Sequence, residues 1–236
     1  MNAATLAERL CAYLPVLLAG AAHTLLVSAV AIVAGFLLGA VLLGLSQARG
    51  GRGLLPALVR AYVSFFRGTP LLAQLLMMFY LPSAAGVELP PLAVAMAAMA
   101  ANSAAFQCEI LRAGLSAVPA GQIEAALAFG IAPRQVFRYV QLPQVARAVW
   151  PAVVSEAIDV IKNSAIVSVI AVADLARSGR QIVAANFRPL EVYVTVGLSY
   201  LLMTAAVFAA GTWIARRMGK GRAISARVVN RTAIRT

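Results

Sequence analysis

Charged residues are scarce in this chain. They make up 12% of its 236 residues, against about 25% in a typical soluble domain, whereas hydrophobic types make up 62%. This imbalance excludes an intrinsically disordered protein and argues against a soluble globular enzyme. The net charge of +12 could suggest nucleic acid as a partner. Basic residues scattered among so much Leu, Ala and Val are more typical of membrane-protein loops, so we expect no nucleic-acid partner.

Residues that carry chemistry are also few. The chain has one histidine, His23, and two cysteines, Cys11 and Cys108, and none of these lies in a CxxC or a Cys/His cluster. No GxxxxGK[ST] phosphate-binding loop occurs. We therefore expect no catalytic residues, no metal and no cofactor on this chain, and we do not expect it to be an enzyme.

Long apolar runs are what the sequence has in abundance. A helix needs about 20 mostly apolar residues to cross the hydrocarbon core of a bilayer. The runs predict an all-α integral membrane protein with five transmembrane helices. Such a protein contacts membrane lipid directly, so we expect lipid among its partners. The predicted spans are residues 22–45, 68–87 (its helix starting near residue 56), 89–108, 149–171 and 192–215.

The distribution of basic residues predicts the orientation of these spans. With five spans, 15 of the 20 basic residues fall on one side, which is therefore the cytoplasmic side. The N-terminus is then outside and the C-terminus inside.

We divide the chain into an external segment (1–21), a single transmembrane domain (22–215) and a basic cytoplasmic tail (216–236). In the first span, a GxxxG pattern at Gly35 and Gly39 predicts close helix packing within the subunit.

The cytoplasmic loop at 109–148 is longer than a connection requires. Its pattern predicts a short helix at 122–129, which ends at Gly130 in a left-handed conformation. A second helix starts at Ala132-Pro133, and Leu142-Pro143 is expected to break it before the fourth span. The short helix either docks in a groove of a partner protein or lies on the bilayer surface, and the pattern alone leaves both open.

The fourth span carries polar residues on a single face. At 100° per residue, Ser155, Glu156, Asp159, Lys162 and Asn163 fall on one arc of about 120°. Ionisable groups within a membrane are costly and usually face a cavity or each other. This stripe therefore lines the translocation path, or its Asp159 and Lys162 pair structurally at i, i+3. Asn102 in the third span is a further candidate to line the path.

Several motifs, in order along the chain, resemble one family of proteins. Glu124-Ala125-Ala126, then Gly130, then Leu142-Pro143 resembles the EAA loop of permease subunits of ATP-binding-cassette (ABC) importers. Phe66–Leu72, Asn102–Ala105 and Pro119–Gln122 resemble the polar amino-acid subfamily, the histidine, glutamine and arginine type. The likeness covers roughly residues 15–215.

This resemblance implies a type I ABC-importer permease fold in the bacterial cytoplasmic (inner) membrane. It implies that Glu124, Ala125, Ala126, Gly130, Leu142 and Pro143 couple the chain to two cytoplasmic ATPase subunits, which bind ATP and Mg. A second permease subunit, identical or not, and an external solute-binding protein complete the implied assembly. The cargo would be a polar amino acid, with basic amino acids among the candidates.

The resemblance also bears on the substrate path. The family often has Asn where this chain has Ser155, and Lys-Asp/Ser-Thr/Ser where it has Lys162-Asn163-Ser164. The candidate path residues are Glu156, Asp159, Asn163, Ser164 and Asn102. Three alternatives stay open: an importer of another small solute such as an opine or methionine, an ion-coupled secondary transporter, and a membrane-embedded enzyme.

Overall fold

The computed structural model describes the backbone from residue 6 to residue 232, and side chains from 8 to 218 except that of residue 49. Every regular element in this part of the chain is helical. The α-helices are α1 (Leu6–Ser46), α2 (Leu54–Gly68), α3 (Leu71–Ala84), α4 (Pro91–Ser116), α5 (Ala120–Ala128), α6 (Pro133–Gln135), α7 (Leu142–Asn163), α8 (Leu175–Asn186) and α9 (Pro189–Thr232). Short 3₁₀ segments follow α1 (Ala48–Gly51) and α7 (Ser164–Ile170), and a π-helical turn, Val136–Gln141, joins α6 to α7.

Three helices of the described chain are long and apolar enough to cross a membrane: Glu8–Ser46, Pro91–Ser116 and Pro189–Met218. The apolar helix α3 is shorter, and α7 carries too many charges to qualify on hydropathy. Five spans and their orientation thus remain a prediction. Helix α1 begins at Leu6, well before the predicted start at 22. Helix α9 runs on to Thr232, through the predicted tail, whose side chains beyond residue 218 lie outside the described residues.

The second predicted span is broken in the middle. Helix α2 ends at Gly68 and α3 begins at Leu71, and between them Thr69 adopts an extended conformation with φ −118° and ψ 149°. Pro70 explains this break, because its ring excludes the helical conformation for the preceding residue and its nitrogen cannot donate a hydrogen bond. The sequence contained this signal, but our prediction treated the span as continuous.

The core forms where α1, α3, α4 and α7 meet, around Val27, Leu75, Ala98 and Val160. Close approach of α1 to α4 depends on the GxxxG glycines. A Cβ atom at Gly35 would come within 2.8 Å of the Ser103 Cβ, and one at Gly39 within 2.7 Å of the Gln107 Cβ. The prediction that this pattern serves packing within the subunit is therefore confirmed.

The expected break at Leu142-Pro143 was wrong. The backbone stays helical through this point because residues 136–141 widen into a π-helical turn, in which the Leu142 N–H donates to the Phe137 oxygen, five residues earlier. Such a turn shifts the carbonyl that the proline ring would otherwise strike. Pro143 then lies in the first turn of α7, where a missing N–H costs little.

Helix α8 lies in the connection between the fourth and fifth predicted spans, where we predicted no helix. Its N-cap is Asp174, whose side chain accepts hydrogen bonds from the Ala176 and Arg177 N–H groups at 3.2 and 2.9 Å. The Leu175 N–H donates to the Thr24 hydroxyl of α1 at 3.1 Å. An Asp before a helical stretch is a recognisable start signal, so this helix could have been predicted.

Candidate substrate cavity and coupling helix

A cavity of about 160 Å³, here called the substrate cavity, lies between α3, α4 and α7. It is lined by Leu71, Met99, Asn102, Phe106, Glu156, Asp159, Val160 and Asn163. Four of the five predicted path residues therefore meet in one place. Ser164 does not: it is fully buried, and its hydroxyl donates to the Ile161 carbonyl at 2.8 Å. The cavity lies level with the middle of α4 (Pro91–Ser116).

Glu156 is held in position by its neighbour across the helix interface. The fully buried Ser103 hydroxyl donates to Glu156 Oε1 at 2.9 Å. Among the described residues, no basic side chain forms an ion pair with Glu156. A carboxylate has about four hydrogen-bond acceptor sites, and one hydroxyl partner occupies only one of them. The Glu156 carboxylate can therefore also bind a cationic group.

Asp159 has a different environment on the same face of α7. It forms an ion pair with Lys162 at 2.6 Å, and both side chains are more than half exposed. The i, i+3 pair that we considered as the structural alternative is therefore formed. Asp159 nevertheless lines the substrate cavity, so pairing with Lys162 and facing the cavity occur together.

Asn102 belongs to a buried network that we did not predict. Its Nδ2 donates to the Phe66 carbonyl at 3.1 Å and to Gln74 Oε1 at 2.9 Å. Gln74 is almost fully buried and donates through Nε2 to the Phe66 carbonyl, the Thr69 carbonyl and the Thr69 hydroxyl, at 2.8–3.0 Å. This network satisfies backbone groups that the break between α2 and α3 leaves without helical partners. A buried Gln in an otherwise apolar helix was the available signal.

The short helix α5 (Ala120–Ala128) is here called the coupling helix, and it forms much as predicted. Gly130 follows it with φ +76°, its N–H donating to the Leu127 carbonyl at 2.9 Å. This is the left-handed conformation expected from the pattern. Ala126 is buried, whereas Glu124 and Ala125 are exposed.

One face of the coupling helix is anchored and the other is open. Ile123 packs against a cluster around Val118, Val145 and Val149, and the Gln144 amide donates to Gln122 Oε1 at 2.8 Å. On the open side, Phe129 is 86% exposed. Leu142 and Pro143, at the start of α7, are exposed as well, and Pro143 shares a cleft of about 550 Å³ with Gln122.

The chain matches a known protein family over most of its length. A family model described as "Binding-protein-dependent transport system inner membrane component" matches residues 32–220. This chain belongs to that family. The permease is 35% identical over 206 residues to the arginine transport system permease protein ArtQ of Bacillus subtilis (strain 168), covering 87% of this chain and 93% of that protein.

Two further similarities agree. The permease is 32% identical over 207 residues to the glutamine transport system permease protein GlnP of Escherichia coli (strain K12), covering 87% and 92% of the two chains. It also superimposes on a crystal structure described as an amino acid ABC transporter with histidines, with a TM-score of 0.84, 33% identity and coverage of 92% and 100%.

These matches confirm the resemblance, the all-helical permease fold and the inner-membrane location predicted from sequence. Permease subunits of this kind are not themselves enzymes and carry no cofactor of their own. Membership also implies that the permease works with a solute-binding protein and a separate ATPase.

Proposed function

We propose that this permease moves a polar amino acid into the cell, and that the substrate cavity is where the amino acid binds in transit. The observation that carries this proposal is the gathering of Glu156, Asp159, Asn102 and Asn163 around one cavity at the level of the middle of α4. Glu156 binds the α-ammonium group or a cationic side chain, because it is the cavity carboxylate without an ion-pair partner among the described residues.

The charge of the cavity supports a cargo that includes basic amino acids. Lys162 offsets Asp159 in part, which leaves the cavity lining with a net negative charge. Negative potential favours cations over neutral or acidic solutes. The relatives named for arginine and for glutamine are consistent with a polar cargo of this kind.

The coupling helix is the proposed docking point for the ATPase. Its anchored face transmits movement to α4 and α7 through Ile123 and the Gln122–Gln144 hydrogen bond, and its open face is free to enter a cleft of the partner. Small side chains at Ala125 and Ala126 allow a close approach between the two proteins. We propose two ATPase subunits and a second permease subunit for the complete importer, because each permease offers one coupling helix.

Uptake by the reconstituted complex tests the substrate site. The permease, its ATPase and its solute-binding protein are placed in proteoliposomes, and uptake of radiolabelled arginine, histidine and glutamate is measured. We expect uptake of the favoured amino acid by the wild-type complex. In Glu156→Gln the uptake rate should fall about tenfold or more, because the variant loses one charge-assisted contact with the amino acid.

The matched control is Glu109→Gln. It also removes one negative charge, but from a residue of α4 outside the cavity that forms an ion pair with Arg112 at 3.2 Å. It should leave the preference among amino acids unchanged. If Glu156→Gln leaves every affinity and rate unchanged, the site assignment is wrong. Uptake that persists without any ATPase would instead favour the ion-coupled alternative.

A further inference from the structure

The Arg67 side chain is exposed, but it lies nearer the middle of a membrane-spanning helix than its sequence position suggests. Our prediction counted it on the cytoplasmic side, directly before the second span at residue 68, and the structure places it in the last turn of α2. The end of α2 lies beside the middle of α4: the Tyr62 hydroxyl donates to the Ala101 carbonyl at 2.7 Å, and Asn102 reaches the Phe66 carbonyl. Arg67 is therefore level with the centre of a helix long enough to span the membrane.

Among the described residues, the partner of the Arg67 guanidinium is an aromatic ring and not a carboxylate. The guanidinium carbon lies 5.5 Å from the centroid of the Phe106 ring, a cation–π contact. No ion pair with a carboxylate forms at Arg67 within the described part of the chain. A guanidinium has five N–H donors, and a ring face satisfies none of them as an anion would. An arginine at this depth is costly, which points to a role in binding.

Phe106 connects Arg67 to the substrate cavity. The ring that lies under the guanidinium also lines the cavity whose other wall carries Glu156. The Arg67 guanidinium against the Phe106 ring and the Glu156 carboxylate in the cavity lining carry charges opposite to those of the two ends of an amino-acid zwitterion. Guanidinium groups bind carboxylates through two parallel hydrogen bonds, which gives orientation as well as affinity.

We infer that Arg67 binds the α-carboxylate of the transported amino acid, while Glu156 takes the positive group. This inference rests on the proposed function and deepens it, because it makes the permease selective for amino acids over the corresponding amines. The break between α2 and α3 serves this purpose by ending α2 beside the cavity. Arg67 is then a specificity-determining residue.

The test compares each amino acid with the amine that lacks only the carboxylate. Binding is measured by calorimetry on the full-chain permease–ATPase complex in lipid nanodiscs. The probe pairs are arginine with agmatine, histidine with histamine, and glutamine with 4-aminobutanamide. Arg67→Gln should lower the affinity for the amino acid by about tenfold to a hundredfold, and should change that for the amine by less than about twofold.

Two further variants keep the result interpretable. Arg60→Gln removes a charge from the same helix two turns away from Arg67, where Arg60 donates to the Gly51 carbonyl at 3.4 Å, and should change neither affinity. Arg67→Lys keeps the charge and loses the paired geometry, so it should lose part of the discrimination. If Arg67→Gln does not assemble, Arg67→Lys carries the comparison alone.

The outcomes separate this inference from the proposed function. An equal loss for amino acid and amine, or no loss for either, shows that Arg67 has a structural role and overturns the inference alone. A wild-type complex that binds none of the three amino acids overturns the proposed function, and this inference with it.

Discussion

At the substrate cavity, Asn102 and Glu156 have hydrogen-bond partners within the chain, and Gln74 supports Asn102 from behind. On the coupling helix, by contrast, Glu124 and Ala125 are exposed, and Phe129 beside them is almost fully exposed. The difference follows from what each region binds. A small solute needs polar groups that are already in place, because no large interface offsets the cost of ordering them. A docking helix keeps apolar surface available until a partner covers it.

Among changes that separate these two regions, the largest effect should come from the open face of the coupling helix, through Phe129→Ala. The side chain is so exposed that its loss should not destabilise the permease. Removing an aromatic anchor from an interface costs about 2 kcal/mol, so the affinity for the ATPase should fall about thirtyfold. The measurement is binding of the purified ATPase to the permease in nanodiscs.

The chain contains a matched control for this variant. Phe187, at the end of α8, is also 86% exposed but lies in a different loop. Phe187→Ala should leave ATPase affinity unchanged. Equal losses in the two variants would show that exposed aromatics act non-specifically, and no loss in Phe129→Ala would remove Phe129 from the interface.

A substitution in the buried network should lower the stability of the permease, and not its affinity for the ATPase. Gln74→Leu removes the partner of Asn102 and leaves the Phe66 and Thr69 carbonyls with fewer donors. Leaving such groups unsatisfied costs about 1–3 kcal/mol, and the freed Asn102 should also weaken amino-acid binding. Thermal unfolding in detergent and ligand binding are the two measurements, and ATPase affinity should not change.

Gln181→Leu provides the comparison for the network, since Gln181 is exposed on α8. It should shift neither the unfolding temperature nor ligand affinity. Should Gln74→Leu prove as stable as wild type, the network does not hold the break between α2 and α3 in place.

The smallest effect is expected at Gly130. Its φ of +76° is a conformation in which a Cβ costs about 1–2 kcal/mol, so Gly130→Ala should tilt or loosen the coupling helix and reduce uptake several-fold. Gly121→Ala makes the same change in the first turn of this helix, where φ is ordinary and a Cβ would meet nothing within 4 Å. Uptake in Gly121→Ala should stay at the wild-type level. Equal uptake in the two variants would show that the left-handed conformation of Gly130 does not position the coupling helix.

Local signals predicted much of both regions. Gly130 followed from helix-capping rules, because a left-handed residue is needed where the chain leaves a short helix. Glu156, Asp159 and Asn163 shared a face because helical periodicity alone fixes which side chains lie together. The break at Thr69-Pro70 and the start of α8 at Asp174 also had local signals, although we predicted neither feature.

Other features had no local signal to find. The Ser103–Glu156 and Gln74–Asn102 hydrogen bonds join residues 53 and 28 positions apart. The depth of Arg67 depends on how α2 lies against α4, and a count of charges between apolar runs cannot supply that. The proline rule failed at Pro143 because neighbouring residues absorbed the clash in a π-helical turn.

The sequence by itself determined that this is a helical membrane protein, where most of its helices lie, which face of α7 is polar and where the coupling helix ends. Each of these depends on interactions between residues within a few positions of one another, or between the chain and its solvent. Only the tertiary structure decided which polar residues meet, that Ser164 is turned away from the cavity, and that Arg67 packs against Phe106 of the cavity lining. Those outcomes depend on helix packing, where glycines such as Gly35 and Gly39 set how closely distant segments approach.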